Sequence, residues 1–142
     1  MLKPVAFWDS SALIPLCVSQ PQTATARLLY QSYRIVTWRA TQVEIMSGLT
    51  RLDRMGQISH ERFFIGKQIA QEIMRDWVSV GSIESIAGNA CLLLELYPLR
   101  AADALQLAAA LEWSEGKPQG NVFLTFDRRL RDAAGLAGFT LQ

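Results

Sequence analysis

The sequence predicts an α/β fold, with a mostly parallel central sheet of four to five strands flanked by helices. Three observations carry that prediction. Short apolar runs of strand character alternate with longer segments of helical spacing, the order expected of a parallel sheet whose crossovers are helices. The runs Val5-Ala6-Phe7-Trp8 and Asn121-Val122-Phe123-Leu124-Thr125-Phe126 are rich in apolar residues on both faces, which suits strands covered on both sides. A chain of 142 residues, 50% hydrophobic and 19% charged, is most simply one domain over 1–142 with a large core.

Taken in order, Val5 to Trp8 forms the first strand and meets a carboxylate, Asp9. Ser11 to Val18 reads as a short helix with Pro15 near its first turn, where proline is tolerated, and Gln20-Pro21-Gln22 breaks it. Thr23 to Tyr33 is a second amphipathic helix on Ala24, Leu28 and Leu29, leading into the strand Arg34 to Trp38. Thr41-Gln42-Val43-Glu44 opens a helix carrying Ile45, Leu49, Leu52 and Met55, which Gly56 stops. Ser59 starts a long helix to about Asp76 with Phe63, Ile65, Ile69 and Ile73, and Trp77 to Val80 is a short strand. Gly81-Ser82 opens a helix whose wide apolar face is Ile83, Ile86, Ala90, Leu93, Leu94 and Tyr97, ended by Pro98. Leu99 to Glu115 is the richest helix-forming segment, and Gly116 to Gly120 is a loop. The strand 121–126, a short helix Asp127 to Ala134 and a terminal strand Phe139 to Leu141 complete the chain.

Composition narrows the function classes. A net charge of +1 and a pI near 7.8 do not advertise nucleic-acid binding through bulk electrostatics. Eleven of the 14 basic residues are Arg, however, the side chain suited to bidentate phosphate contacts. Cys17 and Cys91 stand alone in apolar helical patterns and read as small core residues in a reducing compartment, not as a zinc site. His60, the only histidine, lies in a polar Ser59-His60-Glu61-Arg62 turn and reads as a solvated helix start. No basic leader precedes an apolar core and no apolar run reaches the length of a membrane span, so the expectation is a cytoplasmic protein without a membrane segment.

Four of the 13 acidic residues occupy unusual places. Asp9 ends the first strand and Asp127 follows 121–126, so a parallel sheet brings both to its carboxyl edge, where open sheets gather ligands. Glu44 lies in the first turn of the helix after the second strand, at the same edge. Asp103 sits on a helix face shared with Leu99, Gln106, Leu107, Ala110 and Leu111; burying an ionised carboxylate there without a partner costs several kcal/mol. Each has a local reading as well. Asp9, Ser10 and Asp127 suit helix N-caps, Thr41-x-x-Glu44 is a capping box, and Arg100 is placed to pair with Asp103. Those readings are mutually independent, whereas a divalent-cation site explains the convergence. Carboxylates without histidine or cysteine are hard oxygen ligands that suit Mg²⁺ or Mn²⁺, whose chemistry is phosphoryl transfer.

Phe7-Trp8-Asp9-Ser10-Ser11-Ala12-Leu13, Val43-Glu44-Ile45, Leu99-Arg100-Ala101-Ala102-Asp103-Ala104-Leu105-Gln106-Leu107-Ala108 and Phe123-Leu124-Thr125-Phe126-Asp127-Arg128-Arg129-Leu130 together resemble the PIN domain, specifically VapC-type toxins of bacterial toxin–antitoxin pairs. The resemblance spans nearly the whole chain. It implies a PIN-like three-layer sandwich and a Mg²⁺-dependent endoribonuclease, with Mn²⁺ able to substitute, that cuts transfer or ribosomal RNA. It maps the catalytic and metal-holding quartet onto Asp9, Glu44, Asp103 and Asp127, with Asp9 and Asp103 touching the metal most directly. Thr125, and Ser11 with it, match supporting hydroxyls. A cognate antitoxin and a homodimer are further implications. Gln106 stands where many relatives carry histidine, and Phe126 where a small residue often precedes the last aspartate.

If RNA is the substrate, Arg39, Arg51, Arg100, Arg128 and Arg129 are the basic residues nearest the quartet by sequence, with Arg100 and Arg128 the candidate substrate contacts; a solvated surface role competes for each. Trp8, Trp38 and Phe126 read as core. Two other functions compete. An aspartyl-phosphate phosphotransfer domain wants an acid where Ser11 stands and a lysine near the last strand, and Lys117 lies at the opposite edge. A catalytically silent RNA- or protein-binding module gains nothing from four mutually repelling carboxylates.

Overall fold

The computed structural model describes residues 2–142, and its five strands form one all-parallel sheet in the order β3-β2-β1-β4-β5. The strands are β1 (Val5–Trp8), β2 (Arg34–Trp38), β3 (Val78–Val80), β4 (Val122–Leu124) and β5 (Thr140–Leu141). The helices are α1 (Ser10–Cys17), α2 (Thr23–Ser32), α3 (Thr41–Arg54), α4 (His60–Asp76), α5 (Ile83–Leu96), α6 (Ala101–Trp113) and α7 (Arg128–Ala137). The chain builds outward from β1 to β2 and β3, then returns past β1 to lay down β4 and β5. The strand order therefore reverses between β1 and β4, and the crevice beyond their carboxyl ends is where this topology places a ligand.

Alternation along β1 divides the core into two layers. Phe7 faces α5, α6 and α7 among Ile86, Leu93, Leu107, Phe123, Leu130 and Phe139. Ala6 and Trp8 face α1, α3 and α4 among Leu13, Ile35, Ile45, Leu49, Ile73 and Leu124. The result is a three-layer sandwich. α6 buries Ala104, Ala108, Ala109 and Ala110, small residues that let its backbone lie close to the sheet and α5. That proximity carries Asp103 and Gln106 inward.

Several element readings shift. β4 ends at Leu124 instead of Phe126, because Thr125 and the Phe126 N–H turn away from the ladder to bond Asp9 and Ser11. α7 extends to Ala137, closed by Gly138 at φ 114°, a left-handed cap that glycine adopts without strain. Thr41 does not cap α3: it is the first helical residue, and its hydroxyl bonds Thr37 and Gln106 instead. α2 buries Thr23 and Ala26, with Leu29 half-buried, whereas Ala24 and Leu28 face water. On α5 only Ile86, Ala90 and Leu93 are buried. Ile83, Leu94 and Cys91 are exposed, since a single helix can turn only one stripe toward α6; Cys91 is thus not a core residue, while Cys17 is. Trp8 and Trp38 are core, and Phe126 is half-buried at its margin. Met55 and Ile65, read as interior, are exposed too. No helix among the described residues is long and apolar enough to cross a membrane.

Candidate active site

Asp9 leaves the end of β1 as the N-cap of α1, and its two carboxylate oxygens meet different surroundings. Oδ2 accepts the Ser11 hydroxyl at 2.6 Å, the Thr125 hydroxyl at 2.8 Å and the Ser11 N–H at 3.3 Å. Among the described residues Oδ1 accepts only a long 3.4 Å contact from the Ser10 hydroxyl. The two supporting hydroxyls accept in turn, Ser11 Oγ from the Phe126 N–H at 2.9 Å and Thr125 Oγ1 from the Asp127 N–H at 3.0 Å. The segment leading to Asp127 is therefore hung on Asp9 through Ser11 and Thr125.

The same division recurs in the other three. Asp127 is the N-cap of α7, its Oδ1 accepting the Leu130 N–H at 3.0 Å. Asp103, in the first turn of α6, turns Oδ2 back to the Arg100 N–H at 3.3 Å. Glu44, in the first turn of α3, accepts the Gln106 side-chain amide on Oε1 at 2.6 Å. Among the described residues the second oxygen of each of these three has no hydrogen-bond donor. Capping thus engages one oxygen and leaves the other without a donor. No ion pair joins Asp103 to Arg100; the contact is to the Arg100 backbone.

All four carboxylates stand at helix N-termini, whose exposed N–H groups favour negative charge by about 0.3–1 kcal/mol each. That is too little to offset burial and mutual repulsion. Burial pushes the Glu44 carboxyl up to about 7, with the charges of Asp9 and Asp103 adding to the rise and the Gln106 hydrogen bond opposing it. Burial also raises Asp9, against the hydrogen bonds of Ser11 and Thr125 and with Asp127 pushing the same way. Asp103 is raised by burial, by Asp127 and by Asp9, against the Arg100 N–H and charge. Through these charges the four carboxylates act as one electrostatic unit, which the Arg100 charge offsets at Asp103.

Asp103 and Asp127 line a cavity of about 440 Å³ with Arg100, Ala102, Arg128 and Arg129. Arg39 and Arg51 do not line it; Arg39 Nε donates to the Gly81 carbonyl at 2.9 Å. His60 is remote from this function and pairs with Asp53 at 2.8 Å across the α3–α4 turn. A cavity of about 570 Å³ lies beside α1 and α4 and holds none of the four carboxylates.

Hard oxygens, one on each carboxylate with no donor among the described residues or, at Asp9 Oδ1, with only the long Ser10 contact, suit Mg²⁺ or Mn²⁺. Among the described residues no three His, Cys, Asp or Glu side chains cluster tightly enough to hold an ion unaided. The set fits an ion that takes one or two carboxylates directly and keeps water, which is the habit of Mg²⁺. Sequence reasoning missed the Gln106 donor to Glu44 and the Thr41 and Thr37 hydroxyls behind it; the one signal was a glutamine on the apolar face that carries Asp103.

The PIN domain family model matches residues 6–136. No curated protein matches the chain. Among solved structures, that of PAE2754 from Pyrobaculum aerophilum is similar to it with a TM-score of 0.64 and 17% identity, over 97% of this chain and 89% of the other. At that identity the likeness is one of fold.

Proposed function

The chain belongs to the PIN domain family, whose members are generally nucleases, and from that premise we propose that it is a Mg²⁺-dependent endoribonuclease, the toxin of a toxin–antitoxin pair, cutting structured RNA such as transfer or ribosomal RNA. One observation carries the reading: four carboxylates coupled through their charges each keep one oxygen anchored, while among the described residues the other lacks any donor or, at Asp9 Oδ1, takes only the long Ser10 contact. Asp9 and Asp103 would hold the ion directly, and Glu44 and Asp127 through water or a second ion. A bound divalent cation supplies charge neutralisation at the scissile phosphate and an acidified water. The chain's own part is to fix the four carboxylates through Ser11, Thr125, Gln106 and three backbone N–H groups, those of Ser11, Arg100 and Leu130. Arg100, Arg128 and Arg129, on the same cavity as Asp103 and Asp127, would seat flanking phosphates.

The toxin assignment extends to a cytoplasmic location, a homodimer and a cognate antitoxin. Unpaired Cys17 and Cys91 accord with a reducing compartment. Exposed apolar side chains on α4 (Phe64, Ile65) and α5 (Leu92, Leu96) supply surface that protein partners would cover.

The test is sequencing of new RNA 5′ ends after brief expression of the wild type and of Asp103→Asn in bacterial cells. Discrete ends made only by the wild type are expected, and they name the substrate. Equal end profiles, together with no Mn²⁺ binding by the wild type, would favour a binding module instead. For the arginines, Arg128→Ala is expected to raise KM for RNA with little change in kcat, and to lower the slope of log affinity against log salt by about 0.7–0.9. An unchanged salt slope would remove Arg128 from the substrate path.

A further inference from the structure

Gln106 is completely buried, and its two amide protons are both engaged: Nε2 donates to Glu44 Oε1 at 2.6 Å and to Thr41 Oγ1 at 3.1 Å. Behind it runs a chain of hydroxyls. The Thr37 hydroxyl faces two acceptors, the Trp8 carbonyl at 2.7 Å and Thr41 Oγ1 at 2.8 Å. Thr37 and Thr41 are as fully buried as Gln106. Hydrogen bonds thus link α6 through α3 and β2 to the last residue of β1, the neighbour of Asp9.

The far atom of the same amide tells what the residue is for. Gln106 Oε1 is buried with no hydrogen-bond partner among the described residues. Turning the amide over would set that oxygen against the Glu44 carboxylate at 2.6 Å, acceptor against acceptor, so an ionised Glu44 selects the observed orientation. A leucine of similar volume would fill the space without burying an unsatisfied oxygen. Packing alone therefore disfavours glutamine here, and the reason to hold one is its donation to Glu44.

We propose that Gln106 is a positioning residue, which engages one oxygen of Glu44 and presents the other, Oε2, to a divalent cation. The inference rests on the metal-dependent reading above and adds to it a residue outside the acidic quartet. A donor in this outer position is typically worth 10–100-fold in metal affinity or activity.

The experiment compares wild type, Gln106→Leu and Gln106→His as full chains, by calorimetric Mn²⁺ titration, metal-free melting temperature and RNA cleavage kinetics. Gln106→Leu should move the metal-free melting temperature by less than about 10 °C, bind Mn²⁺ about 10–100-fold more weakly and lose kcat at unchanged KM for RNA. Gln106→His, whose ring N–H spans a similar reach, should restore most of the affinity. Mn²⁺ binding by Gln106→Leu within about twofold of wild type would overturn the inference and leave the metal site standing, since that is far below the 10-fold floor for such a donor. A metal-free melting temperature lowered by about 10 °C or more would make the amide structural and overturn it as well. A wild type that binds no Mn²⁺ would overturn the site reading itself, and Gln106 with it.

Discussion

Asp9→Asn is expected to slow RNA cleavage by about 10³-fold or more while making the metal-free protein more stable, not less. The two effects have one cause. Asparagine keeps a carbonyl oxygen where Ser11 and Thr125 donate, at 2.6 and 2.8 Å in the wild type, so the tie between the ends of β1 and β4 survives. What changes is the other atom, the Oδ1 that meets only Ser10 at 3.4 Å, which becomes an amide nitrogen. The substitution removes a buried charge whose carboxyl is already raised by burial and by Asp127, and relieves the repulsion that Asp9 exerts on Glu44 and Asp103. It also removes the most deeply buried hard oxygen of the site, with Asp9 only 4% exposed. Losing one charge-stabilising ligand worth several kcal/mol in the transition state gives the stated rate effect, since each 1.36 kcal/mol is tenfold. Melting curves with and without Mn²⁺, alongside single-turnover cleavage, read both halves. An Asp9→Asn protein that melts lower than wild type, or that keeps the full Mn²⁺ shift, would refute this account.

The carboxylates were legible because each closes a recognisable local pattern. Asp9 and Asp127 end apolar runs, Glu44 opens a helix after a strand, and Asp103 interrupts an alanine-rich helix. Their capping readings were equally legible and hold at Asp9 and Asp127, each of which caps its helix with one oxygen. The end of β4 was not legible: Phe123 to Phe126 reads as uninterrupted strand, and only the hydroxyl bonds across 115 and 116 residues of sequence pull Phe126 and Thr125 out of the ladder. The Gln106 contacts were hidden for the same reason, since Thr41 lies 65 residues away and no periodicity encodes a meeting between two helices. The outer stripe of α5 misled in the opposite direction. Hydrophobicity marks what would be buried if covered, and Ile83, Leu92, Leu94 and Leu96 stay in water on this chain.

A second large effect follows from charge, and its sign distinguishes the site from an ordinary acidic surface. Glu44 titrates near 4.5 when unfolded and is pushed up to about 7 in the fold. Between those values the folded protein keeps a proton that the unfolded chain has released, so metal-free stability is full below about 4.5 and is lost as pH rises toward about 7. The raised carboxyls of Asp9 and Asp103 act in the same direction from 3.8 upward. Most proteins gain stability over this interval, because their carboxylates are paired or hydrogen-bonded in the fold. A divalent cation binds the ionised forms, so its stabilisation grows with pH, reaching about 2.7 kcal/mol at a hundredfold excess over the dissociation constant. Melting temperatures from pH 4 to 8 should therefore fall in EDTA and hold or rise in Mg²⁺. Glu44→Gln, which still offers Gln106 an acceptor oxygen, should flatten the EDTA curve. A wild-type curve that climbs through this range without metal would mean that the four carboxylates do not share one buried site. A falling curve that Mg²⁺ reverses would mean that the fold holds this repulsion in place for a cation to relieve.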